Sequence, residues 1–535
     1  MRVERIEADY LVETAYDLWT AVEAMAGEQS SGTFVPVSGE TPELKPRSAA
    51  RVEKLEVLGE ADQPSLPGSG AHREGRVRLT ARATLSWPLD NIGPSLPNLM
   101  ATVAGNLFEL KQFSGLRILD IRLPDAFASA YPGPKFGVDG TRKLTGVNGR
   151  PLIGTIVKPS IGFTPEQTAE LVDVLCAAGI DFIKDDELQS DGALCPFEER
   201  VRSVMRVINR YAEHSGRKVM FAFNLTGEID EMRRRHDLVE SLGGTCVMAS
   251  LNSIGVVGMI ALGHHARLPI HAHRNGWGYL SRHPALGWSY VAWQKIWRLA
   301  GVDHMHVNGL ANKFSESDES VTASARACLT PMFEGKPCTV MPVFSSGQSA
   351  RQAAGTLAAL GSTDLIFAAG GGIVVHPGGP ADGVRALRES FEAAMAGVPA
   401  ERYASTGPRS PPRCRWPLHD RIRRPSCRDP GRFLRRRFHR FFGRYGGHDL
   451  RRLAGGDVCR DANARAVRTL SELPSDRNRR RRPFAAPGVA GRPFARGFPR
   501  ARQAQGARHA LQDLFNARLL AKGGVDWPRD RFISR

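Results

Sequence analysis

The chain has 535 residues and a formal net charge of +18, long enough for two or three domains around a large core. Residues 401–535 hold 34 Lys and Arg against 11 Asp and Glu, which leaves 39 against 44 in residues 1–400, so the main body is mildly acidic and not built as a nucleic-acid-binding domain. The eight cysteines form no CxxC pair and no regular spacing, which disfavours a disulfide frame or zinc site, and no uninterrupted apolar run has membrane-spanning length.

The start, Met1-Arg2-Val3-Glu4-Arg5, has no secretory pattern, and with scattered thiols this points to the cytoplasm. Thr14 to Met25 has helical apolar spacing. Arg51–Leu58 and Gly75–Trp87 read as strands around a Gly/Pro/Ser-rich turn. Leu99–Phe108 is a second helical patch, and Ile118–Leu123 alternates like a strand. These elements predict an α+β domain over residues 1–130.

From Pro151 the pattern becomes short strands alternating with helices. Eight strands are predicted: Ile153–Val157, Phe182–Lys184, Lys218–Asn224, Cys246–Leu251, Ile270–His273, His304–Val307, Thr339–Phe344 and Leu365–Ala369. Helical patterns follow most of them, such as Pro165–Ala178, Pro196–Tyr211, Ile229–Leu242, Gln348–Leu360 and Ala381–Ala396. Eight such units predict a closed (β/α)8 TIM barrel over residues 131–404. An open doubly wound sheet is the competitor, but no GxGxxG turn follows the first strand.

The strand tips carry the chemistry. Phe182–Lys184 runs apolar and then ends in Lys184-Asp185-Asp186-Glu187. Alternation places Lys184 and Asp186 on one face and Asp185 on the other. Hard oxygen ligands beside a lysine suit Mg²⁺, although the stretch alone reads equally well as a solvated acidic loop. Polar groups also end most of the other strands: Lys158, Asn224, His271-Ala272-His273-Arg274, His304/His306/Asn308 and Ser345-Ser346, with Gly370-Gly371-Gly372 closing the eighth and no such group at the fourth. Packing does not call for polar residues at so many tips, whereas an active site at the C-terminal face of a barrel does.

In this order, Lys158-Pro159-Ser160-Ile161-Gly162, Lys184-Asp185-Asp186-Glu187, His271-Ala272-His273-Arg274, Asp303-His304-Met305-His306 and Gly370-Gly371-Gly372 with His376-Pro377 resemble the Rubisco large-chain family. Glu28-Gln29-Ser30-Ser31-Gly32-Thr33-Phe34 and Gly105-Asn106-Leu107-Phe108 resemble the segments a partner subunit contributes. The resemblance spans about residues 8 to 402 and implies a ferredoxin-like N-terminal domain before the barrel. Ser160, Ile156, Phe34, Asn312 and Ser346-Gly347 depart from the carboxylase pattern. The chain thus resembles the Rubisco-like branch, which enolises, isomerises or decarboxylates phosphorylated sugars without fixing CO₂.

The resemblance implies site residues one by one. Lys184, converted by CO₂ to a carbamate, would hold Mg²⁺ with Asp186 and Glu187, and the metal would stabilise an enediolate. Lys158 would be the acid/base lysine, with phosphate holding as its alternative role. His273 and His306 would orient hydroxyls or phosphate, and Arg274 would clamp phosphate. Ser345, Gly371 and Gly372 would face a phosphate. Lys313 would close over the substrate on a mobile loop, with a solvated surface lysine as its alternative. Glu28, Thr33 and Asn106 would complete the neighbour's site, which implies a homodimer or higher homo-oligomer with shared active sites. The resemblance, taken with the sugar-acid-kinase-like strings of a shifted reading frame described below, implies Mg²⁺-dependent decarboxylation of a phosphorylated 3-oxo sugar acid, with 3-oxo-isoapionate 4-phosphate the best-fitting substrate. Enolisation or isomerisation of a methylthio-sugar 1-phosphate is the alternative.

Residues 405–535 are rich in Arg and Pro, contain one lysine (Lys522) and keep no helical or strand period. They are expected to be a non-globular basic tail, read as a nucleic-acid-binding arm, a disordered tail or, fitting better, the product of a shifted reading frame, so that nucleic acid is not an expected partner. Read one base later, residues 435–447 and 511–522 can spell strings that resemble the start of four-carbon acid sugar kinases.

Overall fold

A computed structural model describes residues 4–31, 39, 41, 43–69 and 77–398. The basic tail lies outside the described residues, as does Thr33.

Thirteen strands occur among the described residues. In chain order they are β1 (Arg5–Thr14), β2 (Arg51–Ala61), β3 (Arg78–Pro88), β4 (Phe113–Arg122), β5 (Leu152–Ile156), β6 (Phe182–Lys184), β7 (Met220–Asn224), β8 (Cys246–Ser250), β9 (Ile270–His273), β10 (Leu286–Trp288), β11 (His304–Asn308), β12 (Met341–Phe344) and β13 (Ile366–Ala368).

Five of them form an N-terminal sheet in the order β10-β4-β1-β3-β2. The central strand β1 is antiparallel to β3 and β4. Its even-numbered residues Ile6, Ala8, Tyr10 and Val12 are fully buried, as strand alternation requires. Each such apolar side chain larger than alanine contributes ~1.5–3 kcal/mol on burial. On the other face Asp9 accepts from Arg82 at 2.5 Å and Arg122 at 2.9 Å. The helix Leu18–Glu28 starts at Asp17, whose carboxylate accepts from Thr20 N at 2.9 Å, and it buries Leu18, Ala21, Val22 and Met25. The Tyr10 hydroxyl donates to Val103 O at 2.7 Å, pinning the helix Leu96–Val103 to β1.

The other eight strands are parallel and close into a barrel: β5-β6-β7-β8-β9-β11-β12-β13, with β13 pairing back to β5. All eight expected strands are present, with boundaries shifted by at most two residues. Alternation divides their side chains between two cores. Leu152, Phe182, Met220, Cys246, Met341 and Ile366 pack inside the barrel. Ile153, Ile183, Phe221, Val247 and Ile270 face the surrounding helices. Toward the C-terminal strand ends the inward positions turn polar, because there the barrel opens and side chains no longer need only apolar neighbours.

Two strands were not foreseen. β1 carries the alternation Ile6, Ala8, Tyr10, Val12 and was overlooked. β10 has only three residues, too few to show a period. It leaves the barrel segment between β9 and β11 and pairs in parallel with β4. The helices Leu251–His265, Tyr290–Ala300 and Asp318–Leu329 complete the outer ring. Among the described residues no helix is long and apolar enough to cross a membrane. Cys176, Cys195, Cys246, Cys328 and Cys338 are free and buried.

Candidate active site

The tip of β6 sets the geometry. Lys184 points into the barrel and is 1% exposed. Its Nζ donates to Asp185 O at 2.8 Å and lies 3.7 Å from Glu187 Oε2. Burial pulls the amine below the usual lysine range, against the opposing pull of Glu187, Asp186 and Asp185. Asp186 shares its face and meets Lys158 Nζ at 2.5 Å. Lys158 also donates to Ser160 Oγ at 2.9 Å.

Asp185 points the opposite way, as alternation dictates. It is fully buried beside Arg200, 3.2 Å away, and accepts from Asn224 N at 3.0 Å. Burial raises its carboxyl, and Arg200 opposes that rise. Arg200 also donates to Ser190 O and Cys195 O, so this buried pair fastens the loop after β6. The Asn224 amide, at the tip of β7, donates to Asp186 O and Glu187 O at 3.4 and 3.3 Å. Neither Arg200 nor the bracing role of Asn224 was singled out from sequence.

Four histidines line the adjoining wall. His273 Nε2 lies 3.4 Å from Glu187 Oε2, and its Nδ1 accepts from Asn275 N at 3.2 Å. That acceptor role places the ring hydrogen on Nε2, facing Glu187. His306 meets Ser345 Oγ at 3.0 Å through Nδ1 and His271 Nε2 at 2.9 Å through Nε2. His304 Nε2 meets Thr141 Oγ1 at 2.8 Å deeper in the barrel. Burial drives all four below the usual histidine range, His304 to about 3. They are neutral hydrogen-bonding groups at neutral pH.

Lys158, Lys184, Asp186, Glu187, His273, His306 and Ser345 therefore gather at one end of the barrel. Arg274 is nearby, engaged by Glu316 at 2.6 Å. Gly370 packs beside Lys158, since an added Cβ would lie 3.9 Å from Lys158 Cε. At Gly372 an added Cβ would lie 2.5 Å from Gln348 O, so glycine is needed there for close backbone packing. Gly371 meets no such obstruction. Lys313 is exposed, its amine 5.1 Å from the Phe314 ring centroid, outside the network. The amide oxygen of Gln29, the residue after Glu28, accepts from Asn106 N at 2.9 Å. Among the described residues no hydrogen bond or ion pair joins either of them to the barrel-end network.

Residues 8–127 match the N-terminal domain of the ribulose bisphosphate carboxylase large chain, and residues 137–410 match its catalytic domain. The chain belongs to the Rubisco large-chain family. Within that family it is 61% identical over 406 residues to a Xanthobacter autotrophicus protein named 3-oxo-isoapionate-4-phosphate transcarboxylase/hydrolase, covering 76% of this chain and 97% of that protein. It is 46% identical over 405 residues to a Rhizobium etli protein named 3-oxo-isoapionate-4-phosphate decarboxylase, covering 75% and 96%. A crystal structure of a rubisco-like protein from Burkholderia fungorum aligns at a TM-score of 0.70 and 49% identity, covering 75% and 96%.

The donor set of this Rubisco-family site fits Mg²⁺ on one condition. Asp186 and Glu187 supply two carboxylates, and a third anionic oxygen is needed from Lys184. A buried amine held below the usual lysine range is easier to deprotonate, and the neutral amine is the form that adds CO₂.

Among the described residues one cluster already offers three ligating side chains, His236, Asp237 and His265. It is a helix staple instead. His236 Nε2 accepts from Arg267 N at 3.0 Å, so Nδ1 holds the hydrogen and donates to Asp237 at 3.0 Å. That leaves His236 no lone pair for a metal. Arg267 further neutralises Asp237 at 3.0 Å.

Proposed function

We propose that the chain is an enzyme acting on 3-oxo-isoapionate 4-phosphate, and that the substrate's carboxyl group leaves its carbon at the mouth of the barrel. The observation that carries this reading is two ion-pair groups at the tips of neighbouring strands, Lys158 with Asp186 and buried Lys184 and His273 with Glu187. The names of the relatives supply the substrate.

Mg²⁺, held by the Lys184 carbamate with Asp186 and Glu187, would supply a Lewis acid for the negative charge that develops as a β-keto acid loses CO₂. The electron pair of the broken carbon–carbon bond stays on the substrate as an enediolate. Lys158, which donates to Asp186 and Ser160, would deliver a proton to that carbon. His273 would hold Glu187 through its Nε2–H, and the His306–Ser345 pair would present a neutral polar wall to the substrate's oxygens. Glu28 and Asn106, set apart from this group, would serve the site of a second copy in a homodimer.

A second outcome is favoured by the higher identity to the transcarboxylase/hydrolase. There the departing carboxyl group is recaptured by the product and a carbon–carbon bond is then hydrolysed. It begins with the same departure and needs the same residues. The full chain, supplied with Mg²⁺, bicarbonate and 3-oxo-isoapionate 4-phosphate, separates the two. Free CO₂ with one phosphorylated ketose means decarboxylation. Two acids with no net CO₂ mean transcarboxylation and hydrolysis. Absence of both products overturns the proposal.

A further inference from the structure

Arg274 follows β9 and, among the described residues, is the one arginine of the polar group gathered above. One edge of its guanidinium is already taken by a carboxylate. Arg274 Nη2 lies 2.6 Å from Glu316 Oε2, and both side chains are almost buried. Glu316 belongs to the loop after β11 and is held from three sides. Asn308 Nδ2 donates to Oε2 at 3.0 Å, and Ser320 Oγ donates to Oε1 at 2.9 Å. On the far side of Arg274 the Tyr290 ring covers the guanidinium, its centroid 5.2 Å from Cζ.

This is not a saturated structural ion pair. Arg274 Nη1 and Asn308 Oδ1 are buried without partners. Buried polar groups are normally satisfied, so a donor and an acceptor left over around one carboxylate call for an explanation. A phosphate, which only accepts, would satisfy the first and not the second. A hydroxyl, which both donates and accepts, suits both. Lys313, in the same loop, offers a contrast. It is exposed and, among the described residues, has no carboxylate partner. Arg274 arrives neutralised by a carboxylate, and Lys313 does not.

We propose that Glu316 determines specificity by supplying, from the protein itself, the negative charge that a phosphate would bring to Arg274. The Arg274 end of the site then receives an uncharged, hydroxyl-bearing end of the substrate. The single phosphate is directed to the end that carries Lys313 and the Gly371–Gly372 backbone. This rests on the proposed single-phosphate substrate. It differs from that proposal in being testable with compounds that cannot react.

The probes are xylitol 1-phosphate and xylitol 1,5-bisphosphate, polyols with no oxo group to enolise, titrated calorimetrically into the full chain with Mg²⁺ and bicarbonate. The native protein should bind the two with similar affinity. Glu316→Gln, which keeps shape and removes charge, should bind the bisphosphate about tenfold more tightly, or 1.4 kcal/mol, and leave the monophosphate little changed. The double variant Arg274→Gln/Glu316→Gln should lose that gain, which ties it to the pair and not to a shifted loop. Native protein that already prefers the bisphosphate tenfold overturns the proposal. So does a Glu316→Gln variant that gains nothing, or gains equally for both probes. Failure to turn over 3-oxo-isoapionate 4-phosphate would end the proposed reaction without altering these affinities.

Discussion

Lys158 Nζ and Asp186 Oδ2 meet at 2.5 Å across the gap between the first two barrel strands, linking the expected acid/base group to an expected metal ligand. Replacing Lys158 by Met removes the proton donor without adding charge. We expect kcat to fall ~100- to 10,000-fold, the usual range for a positioned acid or base. A raised KM with kcat retained would instead assign Lys158 to substrate holding.

Lys184→Met tests the carbamate. The native chain should bind Mg²⁺ more tightly after incubation with bicarbonate, and calorimetry with and without bicarbonate measures this. The variant should show no bicarbonate effect and no turnover. A bicarbonate-independent metal affinity shared by both proteins would remove Lys184 from the ligand set.

Arg200 and Asp185 form a fully buried pair behind the site. Arg200→Leu leaves Asp185 buried without its counter-charge, and loss of one partner of a buried pair costs ~3–5 kcal/mol. Denaturant unfolding reads the loss. Because Arg200 holds Ser190 O and Cys195 O, proteolysis in the loop after β6 should also quicken.

His304 is held to about 3 by burial. The unfolded chain takes up a proton at this histidine below its ordinary value of about 6.5, while the folded chain does not until about 3. Its contribution to stability is therefore complete above that ordinary value and is lost progressively as pH falls toward 3, by ~1.4 kcal/mol per pH unit. Unfolding measured between pH 6 and pH 4 should show a slope shallower by about one proton in His304→Gln than in the native chain.

The family match ends at residue 410. A chain stopped after Ser410 should keep kcat and KM within error of the full chain. Loss of activity on truncation would give the basic tail a role in the enzyme. Resequencing the DNA around codon 405 in independent clones tests the shifted-frame origin of that tail, and an intact arginine-rich frame in all of them would end that idea.

The barrel was legible because two signals coincided at most strands: a short apolar run and a polar tip. Lys184 and Asp186 inward with Asp185 outward follows from alternation alone. What stayed hidden depended on partners distant in sequence. Arg200 reads as one more charge on the polar helix Phe197–Ser215, and only the folded chain shows it buried against Asp185. Glu316 lies in a loop, where no period marks a residue as turned inward, and its meaning comes from Arg274 on another strand. The expectation for Arg274 considered only what it might bind from outside, and so missed the carboxylate the chain brings to it.

The short strand β10 has a mechanical consequence. The segment that begins at Arg274 is anchored in the barrel by β9 and, at Leu286, hydrogen-bonded to the edge of the N-terminal sheet. A span gripped at both ends behaves as a strut. A displacement of the sheet, such as one imposed by a second subunit packing on it, would pull on the same stretch of backbone that positions Arg274. The sheet would then be a lever on the substrate pocket as well as a support for it.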